Sequence, residues 1–230
     1  MAHSFPDTRW TLIQKVRVDD DECRALDEWC RNYWPPVYGY ICSRGHDVES
    51  AKELTQSFFE RLIARGAEES LPNHLSGAFR AYLMRSVKHF LTDQSRSAQS
   101  QRRGGDQFQV EPDVLDQMSD GQANPDQAFD QKWVLTVIEL ALGRLEKELR
   151  AKGSGELFEA TKHLLDGRGV NDEDRAKLAR SLGMKDGAFR VGLHRIRVRL
   201  RTLIEEEIRE TVSSEEDFQE ELCYLFRVWS

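Results

Sequence analysis

The sequence predicts an all-α protein made of two small helical domains joined by an acidic linker. Three observations lead there. Apolar residues recur with a period near 3.6 on both sides of the middle of the chain, while alternating apolar/polar runs are scarce. One internal segment, 104–130, carries seven acids (Asp106, Glu111, Asp113, Asp116, Asp120, Asp126 and Asp130) and no Lys or Arg. The length, 230 residues, suits one large domain or two small ones.

Composition excludes several classes. A hydrophobic content of 39%, charged content of 32% and only 15 Gly and 6 Pro do not fit collagen-like, low-complexity or fully disordered chains. No apolar run is long enough to span a bilayer, and Met1 to Arg9 lacks the apolar core of a secretory signal, so a cytoplasmic protein with no membrane partner is expected. Cys23, Cys30, Cys42 and Cys223 form neither a disulfide framework nor a C-x-x-C pair, so no zinc or other metal site and no cofactor is expected. His46, His74, His89, His163 and His194 make no ligand pair at helical spacing. The linker acids lie in a Gly/Pro-interrupted segment without a scaffold to hold them, so no catalytic residues and no enzyme activity are expected. The net charge of −7 speaks against nucleic-acid binding until its distribution is considered. The linker alone accounts for it, leaving the rest of the chain balanced. That linker reads either as a solvated spacer or as an acidic strand that occupies a basic channel in a partner.

In the N-terminal half, Asp7 can cap a helix through Trp10, Leu12, Ile13 and Val16. A second helix carries Cys23, Leu26, Trp29 and Tyr33 and, past Pro35-Pro36, the Val37–Cys42 stretch, with its aromatics as core. A third follows Asp47 as N-cap and stops at Gly66, with Ala51, Leu54, Phe58, Phe59, Leu62 and Ile63 on its apolar face. Glu49, Glu53, Gln56 and Glu60 recur at i, i+4, i+7 and i+11, a polar stripe that is either solvated or docks a basic partner. In the fourth helix, Phe79 to about Ser100, the buried stripe is Phe79, Tyr82, Leu83, Val87, Phe90 and Leu91. Arg85, Lys88, His89, Thr92 and Arg96 form a second line of donors, extended by Arg102 and Arg103, suited to phosphate contact.

In the C-terminal half, Ala128–Leu149 is an amphipathic helix with Trp133, Val134, Val137, Ile138, Leu140, Ala141 and Leu145 inside, and Leu157–Leu165 a short second helix. A helix–turn–helix follows. Leu178, Ala179 and Leu182 form the inner face of its first helix, Gly183 the left-handed turn, Met184 the corner plug, and Asp186 the cap of the next helix. That helix buries Phe189, Leu193, Ile196, Leu200 and Leu203 and exposes Gly187, Ala188, Arg190, Val191, His194 and Arg195 on its first turns. There an Arg can pair with guanine, and Val or Ala can touch a thymine methyl, in a major groove. Arg197, Arg199 and Arg201 suit backbone phosphates. After Glu205-Glu206-Glu207, Ser213 or Ser214 can cap a last helix whose stripe is Phe218, Leu222, Leu225, Phe226 and Trp229, expected to fold onto the helix–turn–helix domain.

These parts, in this order, resemble the extracytoplasmic-function (ECF) sigma factors of the sigma-70 family. SAKELTQSFFERL resembles region 2.2, FRAYLMRSVKHFLTDQSRSAQSQRR regions 2.3 and 2.4, and LARSLGMKDGAFRVGLHRIRVRLR region 4.2. Tyr82 stands where Trp is common, His89 where Asn is common, and Asp93 is kept. The resemblance implies a region 2-like domain (1–103), the acidic linker (104–130), a region 4-like domain (131–212) and a helical tail (213–230). It implies a protein that binds core RNA polymerase through Glu49, Glu53, Gln56 and Glu60. It also implies that Arg85, Lys88, His89, Thr92, Arg96, Arg102 and Arg103 meet the −10 element of promoter DNA. Lys185, Ala188, Arg190, Val191, His194, Arg195 and Arg197 would meet the −35 element.

One departure matters. Ser50, Lys52 and Ser57 stand where the family usually has acids, so the docking surface carries less negative charge. Asp47, Glu49 and Glu60 can compensate, or a Ser/Thr kinase can restore the charge at Ser50, Thr55 or Ser57, each phosphate adding roughly −1.5 to −2. A kinase or an anti-sigma factor is thus a candidate partner encoded elsewhere. The competing reading is a stand-alone helix–turn–helix regulator that never touches polymerase.

Overall fold

The computed structural model describes residues 20–68, 78–102, 124–165 and 172–229. The expected helix at 8–16, the acidic segment up to Ala123, and the Arg103 side of the basic row lie outside these residues, as does the Arg102 side chain. All regular structure among the described residues is helical. The helices are α1 (Asp20–Ser43), α2 (Val48–Glu68), α3 (Phe79–Arg102), α4 (Pro125–Ala151), α5 (Gly155–Thr161), α6 (Asp172–Ser181), α7 (Asp186–Arg209) and α8 (Glu215–Trp229), with a 3-10 turn at Lys162–Leu164. They form two compact units, one of residues 1–136 with 208–230, the other of residues 137–207.

Local chemistry sets the boundaries. Asp47 caps α2 as predicted: its Oδ1 accepts the backbone N–H groups of Glu49 and Ser50 at 3.1 and 3.0 Å, and its Oδ2 accepts the Ser50 hydroxyl. These hydrogen bonds, led by those from Ser50, hold the Asp47 carboxyl below the usual carboxylate range. Asn124, Pro125 and Asp126 start α4 three residues before the expected Ala128. Pro125 takes the first helical position, where no N–H is needed, and Asn124 Oδ1 accepts the Asp126 N–H at 3.1 Å. Ser214 caps α8, accepting the Asp217 N–H at 3.0 Å and donating its hydroxyl to the Asp217 carboxylate. α1 continues through Pro35 and Pro36, which lack the N–H groups that the carbonyls of Arg31 and Asn32 would otherwise receive.

The core of the first unit is aromatic. Trp29 and Tyr33 of α1, Phe58 and Phe59 of α2, Phe79 and Phe90 of α3 and Phe129 and Trp133 of α4 are all buried. Tyr33 stacks on Trp133 with centroids 5.0 Å apart and meets Phe79 edge-on at 5.1 Å. Trp133, expected in the core of the C-terminal domain, thus belongs to the N-terminal one, and the first three turns of α4 are part of it.

The tail also departs from expectation. α8 packs within the first unit and not on the helix–turn–helix. The reason is an ion network. Arg80 of α3 donates to Glu221 of α8 from Nε and Nη2 at 2.7 and 3.1 Å, and to Asp130 of α4 from Nη1 at 2.7 Å. The three side chains are 10%, 3% and 4% exposed. Tyr224 donates its hydroxyl to Asp130 at 2.5 Å, and its ring lies 4.0 Å beneath the guanidinium. Burial alone would depress the Arg80 guanidinium, but the hydrogen bond and charge of Glu221, and then Asp130, hold it above its ordinary value. The Phe79 N–H, at the start of α3, donates to the Thr211 carbonyl at 2.8 Å, so the chain entering α8 also caps α3. Phe218 and Leu225 are buried, but Phe226 and Trp229, expected on the same buried stripe, are exposed. Glu221 occupies the inward position between the first two.

The second unit has two adjoining apolar clusters. Ala141, Leu145, Phe158, Ile196, Leu200 and Leu203 form one. Leu164, Ala179, Phe189 and Leu193, flanked by Leu178, Leu182 and Met184, form the core of the helix–turn–helix itself. Gly183 has φ +64, and the Met184 N–H donates to the Ala179 carbonyl at 2.8 Å, closing α6 in the left-handed turn predicted.

Two outcomes follow for stability. Arg80→Met leaves two buried carboxylates without a cation and is expected to destabilise by about 3–5 kcal/mol in urea unfolding. Gly183→Ala meets open space but forces a Cβ into positive φ, and is expected to cost about 1–2 kcal/mol in the same measurement.

Candidate nucleic-acid interface

In the second unit, α6 and α7 are joined by the short turn at Gly183, and the first turns of α7 carry one exposed face. Lys185, Ala188, Arg190, Val191, His194 and Arg195 are all exposed, while Phe189, Leu193 and Ile196 anchor the opposite face. Val191 is 50% exposed among these polar neighbours, a position that suits contact with a thymine methyl. Arg190 is held by Asp186 one turn earlier, at 3.0 Å, and Asp186 also accepts from Arg175 of α6 at 3.1 Å. Asp186, expected as a cap, therefore spends its carboxylate in orienting the helix pair and one exposed Arg.

The other arginines of α7 divide. Arg197, half-buried and expected among the DNA contacts, donates from Nη2 to the Leu164 carbonyl at 2.8 Å. Arg199, expected to suit backbone phosphates, is paired with Glu148 of α4 at 2.6 and 2.9 Å and with Glu206 at 3.0 Å. Hydrogen bonding to Glu148 raises the Arg199 guanidinium, and the same bond pulls Glu148 below its ordinary value. Arg144 takes the remaining acids, donating to Glu207 at 2.8 Å and Glu206 at 2.5 Å. Arg201 stays exposed beside Glu205, at 3.0 Å. The Glu205–Glu207 run thus neutralises the rear of the helix and leaves the front basic.

In the first unit, Arg85, His89 and Arg96 are exposed on one face of α3. Lys88 is half-buried and paired with Asp126 of α4 at 2.8 Å, and Thr92 donates its hydroxyl to the Lys88 carbonyl at 2.9 Å. Asp93 binds Arg61 of α2 at 2.8 Å. Three of the expected donors are thus exposed, and Lys88 carries an internal counter-ion. Asp126 and Asp130, read from sequence as linker acids, are helical and bind cations of α3.

On α2, Glu49, Glu53, Gln56 and Glu60 are all exposed along one line, with Lys52 on Glu49 at 3.0 Å and Gln56 donating to Glu60 at 2.9 Å. Ser50 and Ser57 are half-buried. Thr55 is fully buried and donates to the Ala51 carbonyl at 2.6 Å, so a kinase would have to unwind α2 to reach it. Sequence reasoning missed Arg80 and Glu221. The available signal was register: Arg80, Leu83, Val87 and Phe90 share one stripe, as do Phe218, Glu221 and Leu225.

Among the described residues, no group of three or more His, Cys, Asp or Glu side chains could hold a metal ion. No helix among them is long and apolar enough to cross a membrane.

The chain is 26% identical over 225 residues to the ECF RNA polymerase sigma factor SigE of Mycolicibacterium smegmatis (strain ATCC 700084 / mc(2)155), across 93% of this chain and 79% of that protein. This is a distant relationship to an ECF sigma factor at the level of family. No protein-family model matches the chain, and no solved structure matches it.

The Glu148–Arg199 pair gives a pH dependence. A carboxyl held below its unfolded value stabilises the fold above the ordinary Glu pKa of 4.5, and this contribution disappears as pH falls through the folded value. Glu148→Gln is therefore expected to flatten the loss of stability below about pH 4.5 in acid-unfolding curves, relative to the parent.

Proposed function

We propose that this chain is an ECF-type RNA polymerase sigma factor that acts by binding and not by catalysis. It binds core polymerase in the cytoplasm, recognises −35 and −10 promoter elements, and starts transcription. The observation that carries the reading is the order of features along a chain related over almost its whole length to an ECF sigma factor. An exposed acid stripe comes first, then a helix with an exposed cation row, an acidic segment, and a helix–turn–helix whose leading turns expose Arg and Val. In this reading Glu49, Glu53, Gln56 and Glu60 dock on polymerase. Arg85, His89 and Arg96, with Lys88 and Thr92, meet the −10 element, joined by Arg102 and Arg103. Lys185, Ala188, Arg190, Val191, His194 and Arg195, with Arg197, meet the −35 major groove, where an Arg–guanine pair discriminates by about 1–3 kcal/mol.

The cation row suits the −10 element because opening a duplex exposes bases and phosphates together. Unstacking a base costs a few kcal/mol, which capture of that base in a protein pocket offsets. No nucleotide hydrolysis by the sigma factor is required. Ser50 and Ser57 are the candidate phosphoacceptors, since a phosphate there adds negative charge beside the Glu49 and Glu53 stripe. An anti-sigma factor is the other candidate regulator.

Run-off transcription with purified core polymerase on a genomic fragment library tests the reading. Discrete start sites above the core-alone background are expected, and their absence rejects it. Specific binding to duplex DNA without polymerase would instead favour the stand-alone regulator. On a responsive promoter, Arg195→Ala is expected to lower transcription roughly 5- to 150-fold, the range of one Arg–base contact. Arg85→Ala and Arg96→Ala should each reduce the salt dependence of promoter binding by about one phosphate contact. Ser50→Ala with Ser57→Ala should lower activity, and Glu at the same positions should restore it, if phosphorylation tunes docking. Full activity of unmodified protein removes that element.

A further inference from the structure

We propose that Asp186 is a positioning residue that commits Arg190 to one guanine in the major groove and withholds it from the phosphate backbone. The inference rests on the reading of α7 as the −35 recognition helix, and it names the base that one of its side chains takes. Two arginines stand on the leading turns of α7, and their surroundings differ. Arg195 is exposed and has no hydrogen-bond or ion-pair partner among the described residues. The Arg190 side chain is 57% exposed, but its Nε lies 3.0 Å from Oδ2 of Asp186. The other oxygen of that carboxylate, Oδ1, accepts from Nε of Arg175 on α6 at 3.1 Å.

An exposed i, i+4 pair is weak when both side chains are free to swing apart. This one is anchored. Arg175 is only 14% exposed and belongs to the other helix of the helix–turn–helix, so it holds the carboxylate in place for Arg190. Asp186 also lies in the first turn of α7, where the helix N-terminus favours a negative charge.

Engagement through Nε has two chemical consequences. It leaves Nη1 and Nη2 to donate side by side, the arrangement that matches the O6 and N7 acceptors of guanine. It also sets a negative charge against the guanidinium, so the pair is close to neutral and gains little from a phosphate, while its directional hydrogen bonds to a base are kept. The direction fits as well. Asp186 stands one turn nearer the N-terminus of α7, the end that enters the groove in a helix–turn–helix, and draws Arg190 that way. Gly187, at i−3 from Arg190, adds no side chain beside it, and even a Cβ there would meet open space.

Run-off transcription by full-length protein with core polymerase, on templates randomised across the −35 element, tests the assignment. With the parent, one position should prefer guanine by roughly 5- to 150-fold, the range of one bidentate Arg–guanine contact. Arg190→Ala should abolish that preference. Asp186→Ala should lower it at least threefold and leave the preferences at other positions within twofold. Asp186→Asn, which keeps the size of the side chain and removes its charge, carries the same expectation and serves where Asp186→Ala does not fold. A merely structural role for Asp186 would lower transcription from all templates alike and keep the guanine preference, and that result overturns the proposal. An Arg190→Ala protein that retains every base preference also overturns it and leaves the sigma reading standing. Transcription from no template, even with the parent, rejects the sigma reading. Selection of the same randomised duplexes by the full chain alone then decides the assignment by the same ratios.

Discussion

The first unit depends on one buried guanidinium. Arg80 sits at a position where its own helix offers only apolar neighbours, and a lone cation there would be prohibitively costly. Its acceptors come from 50 and 141 residues away in sequence. That requirement brings the start of α4 and the Glu221–Tyr224 turn of α8 to the start of α3. It also explains why the N-terminal unit is discontinuous and why Phe129 and Trp133 complete its aromatic core. The apolar surfaces of α8 alone would not choose this partner, since Phe226 and Trp229 remain exposed at 57% and 52%.

A second electrostatic arrangement shapes the other unit. Five Arg fall between positions 190 and 201 of α7, and a helix so charged repels itself. Glu206 and Glu207, with Glu148 from α4, take up Arg199 and Arg144, Glu205 pairs with Arg201, and the Leu164 carbonyl takes Arg197. Positive charge is thereby removed from the rear and middle of the helix and kept on its leading turns. The result is a narrow basic front with Val191 and Ala188 in it, and not a uniformly basic rod; under the proposed function such a front would read bases as well as phosphates.

Helix periodicity, Asp47, Gly183 and Ser214 were legible from sequence because each acts within a few residues of itself. The inner faces of α2, α3 and α7 were legible for the same reason: a 3.6-residue period needs no knowledge of partners. What sequence reasoning did not reach was the destination of charges. Asp126 and Asp130 looked like spacer acids because their context, Gly, Pro and other acids, is that of a linker. Only long-range packing reveals that they face Lys88 and Arg80. Arg197 and Arg199 looked like phosphate contacts because a guanidinium on a basic helix carries no local sign of which way it turns. The tail was assigned to its sequence neighbour for want of a reason to send it further. Arg80 and Glu221, each lying on an apolar stripe, were that reason.

The discontinuity of the first unit has a consequence for biosynthesis. A ribosome delivers residues 1–136 long before 208–230, yet Arg80 acquires Glu221 only when α8 has emerged from the exit tunnel. Residues 137–207 are contiguous and can consolidate their own core first. The earliest-made helices therefore hold Arg80 against Asp130 alone until the last-made helix supplies Glu221, so vectorial synthesis lets the later segment mature before the earlier one is complete.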